Sequence, residues 1–299
     1  MTTLHAHWIT EAGAEGNAGA PGALFPYWSF SKTVLAVLAL QQAAEAALCL
    51  DDALPGRPFT LRQLLGHRAG LPDYGPLAAY HAAVARGDPP WPRDRLEAET
   101  LAQGHPYAPG AGWLYSNLGY LYLREWIEAT AGAPLADLVQ ARIRAPLGLD
   151  SVTVWDRPEQ GAALHWPAAR AYHPHWVYHR SLIGTARDAA RLLAGLAQGA
   201  LLDSAALAQM RQITPLGGPL PGRPWASCGY GLGLMAGTVA GLGRVFGHSG
   251  AGPFCVNAVY HFPDLACPVT LACFTDAPDE GRAEQAVVDI ARALAEGRK

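Results

Sequence analysis

Ser29 and Lys32 stand three residues apart in YWSFSKTVLA, a spacing that puts both on one helix face with Cβ atoms about 5–6 Å apart. The lysine is conspicuous. Of 22 Lys and Arg residues only two are lysines, the other being Lys299. A desolvated lysine can release its proton and an arginine effectively cannot, while a serine hydroxyl attacks only when a base relieves it of its proton. The pair therefore reads as a nucleophile and its base at a helix start, where unpaired N–H groups and the helix dipole favour an anion forming at the serine. The plainer alternative is a capping serine beside a surface lysine; the scarcity of lysine and the apolar run TVLAVLAL argue against it.

Two other stretches carry chemistry. WLYSNL sets Tyr115 and Asn117 two apart on a loop. A tyrosine near a cation can accept a proton, and an Asn amide can bond a substrate carbonyl. VFGHSGAG runs from a strand into glycines. Gly247-His248-Ser249 has the look of a nucleophile elbow, which needs an acid and then a histidine downstream. The only later histidine is His261, no Asp or Glu lies between it and Ser249, and Ala251 replaces the final glycine, so the elbow reading fails. What remains is a strand lining a site, with glycines that let backbone approach substrate and an N–H available to an oxyanion.

The elements that must position these residues follow from pattern. TTLHAHWITEAG reads as a strand or hairpin with GNAGAPG as turn, and a long apolar helix runs from about Ser29 to Cys49. Thr60 and Thr185 look like N-caps of two further helices. After about residue 225 the runs YGLGLMAGTVAG, GRVFGHSG, FCVNAVYHFP and PVTLACFT are strand-like, and an amphipathic helix closes the chain. Strand material at both ends around a helical middle predicts an α+β fold: an antiparallel sheet built from both chain ends and flanked by helices, plus an all-helical inserted lobe. The expected division is a single catalytic unit over 1–299, with an α/β lobe of about 1–28 and 225–299 and a helical lobe of about 29–224.

Composition excludes several classes. Half the residues are hydrophobic and 16% charged, with a net charge of -3 and no cationic run, so neither nucleic acid nor an anionic membrane is an expected partner. Gln41, Gln42 and Glu45 interrupt the most apolar stretch, which reads as a buried helix rather than a membrane span. No Lys or Arg precedes Lys32, and the five cysteines show no CxxC spacing; free thiols and a cytoplasmic location are expected. His173, His175 and His179 lack an acidic or cysteine partner nearby, so no metal is expected and an aromatic loop at the site mouth is preferred. Trp28 and Trp113 are expected to line the pocket.

Together these stretches resemble the serine β-lactamase and penicillin-binding-protein superfamily, in the branch of class C β-lactamases, D-amino-acid peptidases and related carboxylesterases. SFSKTVLAVLALQQAAEAALCLDDAL is similar to its nucleophile helix, TLRQLLGHRAGLPDY to the segment that follows, and APGAGWLYSNLGYLYL to its Tyr-Ser-Asn loop; APLGLDSV, GTARDAARLL and YGLGL match later landmarks in order. The resemblance implies a β-lactamase-like fold and a covalent acyl-enzyme on a small ester, amide or β-lactam, without a cofactor. Ser29 would be the nucleophile, and Lys32 and Tyr115 would share the general-base work, either one taking the proton. Asn117 would bind the acyl side chain, His248-Ser249-Gly250 would stand where many relatives have Lys-Thr-Gly, and the N–H groups of Ser29 and Ala251 would form the oxyanion hole. A catalytically inactive relative serving as a ligand-binding or regulatory module is the competing function. Only 28 residues precede Ser29, which implies that the family's N-terminal helix is missing or reduced. A histidine in place of the lysine leans the expectation towards esters: at its ordinary pKa near ~6.5 His248 is mostly uncharged at neutral pH, so carboxylate substrates should gain only as pH falls towards 6.

Overall fold

A computed structural model of the chain describes residues 3–46 and 48–297; Lys299 lies outside them. Eleven strands are described, β1 (Leu4–Thr10), β2 (Glu15–Ala18), β3 (Phe25–Pro26), β4 (Thr153–Trp155), β5 (Ser181–Gly184), β6 (Thr214–Gly217), β7 (Ser227–Tyr230), β8 (Met235–Val239), β9 (Gly243–Ala251), β10 (Val256–Phe262) and β11 (Val269–Thr275). Eight form one antiparallel sheet in the order β2-β1-β11-β10-β9-β8-β7-β6. The pairing of β1 with β11, Leu4 opposite Thr275, joins the two chain ends, as the sequence pattern predicts.

Strand alternation divides the sheet into two cores. Val256, Ala258, Tyr260 and Phe262 of β10 meet Val287, Val288 and Ala291 of the helix Glu280–Ala295. On the opposite face Val259, Ala272 and Phe274 join the large core. There the helix Ser31–Glu45 runs through the interior with residues 31–40 all buried. Its apolar character on every side follows from that position rather than from a surface stripe.

The span 29–224 departs from the expected all-helical content. Within it β4 and β5 pair with each other and β5 with β3 from the preceding segment, making a separate small antiparallel sheet; β6 joins the edge of the large sheet, and the helix Ala186–Ala197 packs against β1, β10 and β11. The small sheet matters for function because β3 runs straight into the turn that carries Ser29.

Candidate active site

The Ser29 turn is built under strain. Trp28 has φ 43, a left-handed conformation rarely adopted by a bulky residue and costing of order 1–3 kcal/mol. It is held by its N–H donated to Ser181 Oγ (2.9 Å) and its indole N–H donated to Cys255 Sγ (3.2 Å). A short 3₁₀ turn, Trp28–Phe30, precedes the α-helix at Ser31, so Ser29 sits in that turn, two residues before the α-helix that the sequence pattern starts at Ser29. Trp28 and Phe30 are buried while Ser29 is partly exposed, which presents one hydroxyl at an otherwise apolar turn.

Lys32 is fully buried beneath it. Its Nζ lies 3.2 Å from Ser29 Oγ, 2.7 Å from Asn117 Oδ1 and 3.1 Å from His179 Nε2, with the ring centroids of Tyr115 and Tyr120 at 4.9 and 5.5 Å. Burial lowers its pKa from 10.5 to about 7, opposed by the carboxylate of Asp73. Asp73 accepts the Asn117 backbone N–H (2.8 Å) and its side-chain Nδ2–H (3.3 Å), which fixes the amide with its oxygen towards Lys32. Ser116 caps the same helix start, accepting the Gly119 N–H at 3.0 Å and donating to Pro72 O at 2.8 Å.

Tyr115 shares a hydrogen bond with Ser29, but burial raises its pKa well above the ordinary value. The expectation that a neighbouring cation makes it an acceptor meets the opposite balance: desolvation of the phenolate, backed by the carboxylate of Asp73, outweighs the Ser29 hydrogen bond. Near neutral pH the arrangement offers a serine hydroxyl, an amine poised between its two protonation states and a neutral phenol.

His248 corrects the expectation drawn from its ordinary pKa. It is fully buried, and burial together with the Lys32 charge lowers its pKa to about 3. Nδ1 lies 2.5 Å from Ser249 O, so it carries the hydrogen, and Nε2 accepts from the Tyr230 hydroxyl at 3.0 Å. Both ring nitrogens are taken by the protein, and the residue neither titrates near pH 6 nor lines the cavity beside Ser29. Ser249 is a second correction. Strand alternation turns its hydroxyl to the far face of β9, where it bonds Tyr260 (2.8 Å) and Glu284, itself paired with Arg223. Gly250 returns to the site face. A Cβ there would lie 2.8 Å from Ser29 N and 2.9 Å from Trp28 Cβ, so only glycine permits the approach of β9 to the turn.

Ser29, Asn117 and Ala251 open into a cavity of about 310 Å³ walled by Trp28, Tyr74, Tyr80, Tyr172 and Trp176. The aromatic stretch 172–177 thus lies at the site mouth. Trp113 opens instead into a separate cavity with Leu216 and Leu220. The three histidines of AYHPHWVYHR do not converge: His175 pairs with Asp156 at 3.1 Å, whereas His179 is buried against Lys32. Its role was not visible in the sequence, since no local motif ties residue 179 to residue 32.

The Beta-lactamase family model matches residues 3–294. Among curated proteins the chain is 35% identical over 145 residues to penicillin-binding protein 4* of Bacillus subtilis, covering 45% of this chain and 31% of that protein. It is 26% identical over 237 residues to a D-aminopeptidase of Brucella anthropi, covering 76% and 45%, and 33% identical over 103 residues to lovastatin esterase of Penicillium rubens, covering 33% and 25%. The matches span less than half the length of these relatives. A solved D-stereospecific amidohydrolase from Streptomyces sp. superposes with TM-score 0.79 at 28% identity, over 93% of this chain and 90% of that one. D-amino acid amidase from Ochrobactrum anthropi SV3 shares the fold, with TM-score 0.79 at 20% identity over 98% and 93%. Among the described residues, no helix is long and apolar enough to cross a membrane.

Proposed function

Since the chain belongs to the β-lactamase family, we propose that it is a serine hydrolase that turns over small, carboxylate-free esters or amides through an acyl-enzyme on Ser29. The observation that carries this reading is the contact of Ser29 Oγ with a fully buried Lys32 amine whose pKa falls to about 7. At that value a large fraction is neutral at physiological pH, matching base strength to operating pH. Lys32 takes the Ser29 proton as the hydroxyl adds to the carbonyl carbon. Tyr115, a neutral phenol hydrogen-bonded to Ser29, passes a proton to the leaving group as the Lys32 ammonium gives up the one it took, so that both return to their neutral forms. The backbone N–H groups of Ser29 and Ala251 hold the carbonyl oxygen as it becomes an anion. Water then cleaves the acyl-enzyme by the reverse proton path. Asn117 keeps Lys32 oriented and borders the acyl cavity.

The leaning away from carboxylate-bearing substrates comes from His248. A lysine at that position would hold a fixed positive charge; this imidazole is neutral and sequestered. The aromatic walls suit a flat or branched apolar acyl group. Amides stand beside esters because of the likeness to the Streptomyces amidohydrolase. A binding-only role gives no reason for a buried amine held at a serine. The test is kcat/KM for p-nitrophenyl acetate, D-alanyl p-nitroanilide and nitrocefin at pH 8. Preference for the first two supports the reading; preference for nitrocefin rejects the substrate leaning, and no turnover of any rejects the hydrolase.

A further inference from the structure

His179 is absorbed by neither the motifs nor the mechanism, yet it makes one of the three polar contacts of the Lys32 amine. A neutral primary amine has two N–H groups and one lone pair. Asn117 Oδ1, 2.7 Å away, can only accept, and the Nδ2–H bond to Asp73 prevents the amide from turning over. That leaves one N–H and the lone pair to be shared between His179 Nε2 at 3.1 Å and Ser29 Oγ at 3.2 Å. If Nε2 carries a hydrogen, it consumes the lone pair and Ser29 faces an N–H. If Nε2 is bare, it accepts the remaining N–H and the lone pair falls to Ser29.

We propose that His179 is a positioning residue for the Ser29–Lys32 pair, its bare Nε2 taking one N–H of the neutral amine so that the lone pair faces the serine hydroxyl. The proposal rests on Ser29 and Lys32 acting as stated above. The same tautomer serves the protonated amine, whose three N–H groups need three acceptors, so the ring keeps its hydrogen on Nδ1 as the proton comes and goes. Nδ1 is buried with no partner, a costly placement that fits a nitrogen fixed by the demand of its ring partner. Burial and the Lys32 charge hold His179 well below its ordinary pKa, so it contributes an acceptor and not a second cation. The other ionisable groups facing the amine are Asp73, the neutral His67 and His248, and the phenols of Tyr115 and Tyr120, with Arg124 acting on His179 from behind.

The backbone supports the assignment. Arg180, next in sequence, has φ 70, and β5 then ties the segment to the nucleophile turn. Leu182 N–H donates to Ser31 Oγ at 2.8 Å, and Ser181 Oγ receives the Trp28 N–H at 2.9 Å. Arg124 Nε–H holds Tyr178 O at 3.1 Å. His179 is thus fixed to the element that carries Ser29.

The test uses the full chain with His179→Leu and His179→Gln, reading kcat and KM for p-nitrophenyl acetate from pH 5.5 to 9. His179→Leu is expected to lose up to about 100-fold in kcat, as for a misaligned reacting pair, with KM little changed. Its acid limb should move to lower pH, because the ammonium has lost an acceptor. His179→Gln, whose amide oxygen can accept, should restore the limb and most of kcat. Equal losses in both variants with an unmoved limb would mean packing alone and overturn the proposal. Imidazole ¹⁵N shifts of the wild type at pH 8 provide an activity-free readout that stands even where a variant fails to fold: hydrogen on Nδ1 supports the assignment and hydrogen on Nε2 overturns it. Absence of wild-type turnover and of Ser29 labelling would sink the hydrolase reading, which the tautomer measurement distinguishes from failure of this one.

Discussion

Lys32→Met should make the protein more stable while abolishing its activity. Burial moves the amine from 10.5 to about 7. At about 1.36 kcal/mol per tenfold change in acidity, keeping Lys32 inside costs roughly 5 kcal/mol below pH 7. Between about pH 7 and 10.5 the unfolded chain binds a proton here that the folded chain does not. Wild-type stability therefore rises with pH across that window, while below it the full cost applies and does not change with pH. Methionine removes the titration and keeps a similar length of side chain, but strands Asn117 Oδ1 and His179 Nε2, two neutral acceptors that cost about 1.5 kcal/mol each. The net gain near pH 6 is about 2 kcal/mol. The sharper quantity is its change with pH, in which the stranded groups cancel: linkage gives a fall of about 2.5 kcal/mol in the gap between variant and wild type from pH 6 to pH 9. Urea unfolding followed by fluorescence of the nine tryptophans at both pH values measures it. A gap unchanged between them would show that the buried amine keeps its ordinary pKa, and the argument for Lys32 as a base at neutral pH would fail.

Other consequences are as direct. Lys32→Arg retains a cation and removes the base, so ester turnover should fall by about 10²–10⁴-fold; near-normal rates would mean that charge alone matters. Gly250→Ala places a methyl 2.8 Å from Ser29 N, and calorimetry with p-nitrophenyl acetate kinetics should show a lower Tm and a loss in kcat; an unchanged kcat would mean that β9 does not set the geometry of Ser29. Because His248 is held neutral to about pH 3, KM for nitrocefin should show no histidine-like improvement as pH falls from 8 to 5.5, and a strengthening centred near pH 6.5 would contradict the buried placement.

The site was legible where chemistry is local in sequence. Ser29 and Lys32 share a helix turn, Tyr115 and Asn117 share a loop, and the Thr60 and Thr185 caps are signalled by their own side chains, which accept Gln63 N–H and Asp188 N–H. The strands β8 to β11 were legible because β-branched and aromatic residues recur between glycines. β6 was not: TPLG carries Pro and Gly, and its register shifts between Pro215 and Gly217. β4 and β5 were too short to show a period. Orientation was harder still. Only the register of β9 against β10, Ser249 opposite Ala258, shows that Ser249 faces Glu284 and His248 faces Lys32. The neutrality of His248 depends on burial, which a motif does not report, and His179 reaches Lys32 across 147 residues.

Everything proposed for the reaction stands on acylation of Ser29. Intact-protein mass spectrometry after reaction with a slowly deacylating p-nitrophenyl ester, followed by peptide mapping, tests it without assuming a natural substrate. A single acyl adduct on Ser29 is expected, formed faster as pH rises through about 7 with the loss of the Lys32 proton and absent in Ser29→Ala. An adduct on Ser249 or another residue, or one that persists in Ser29→Ala, would contradict it.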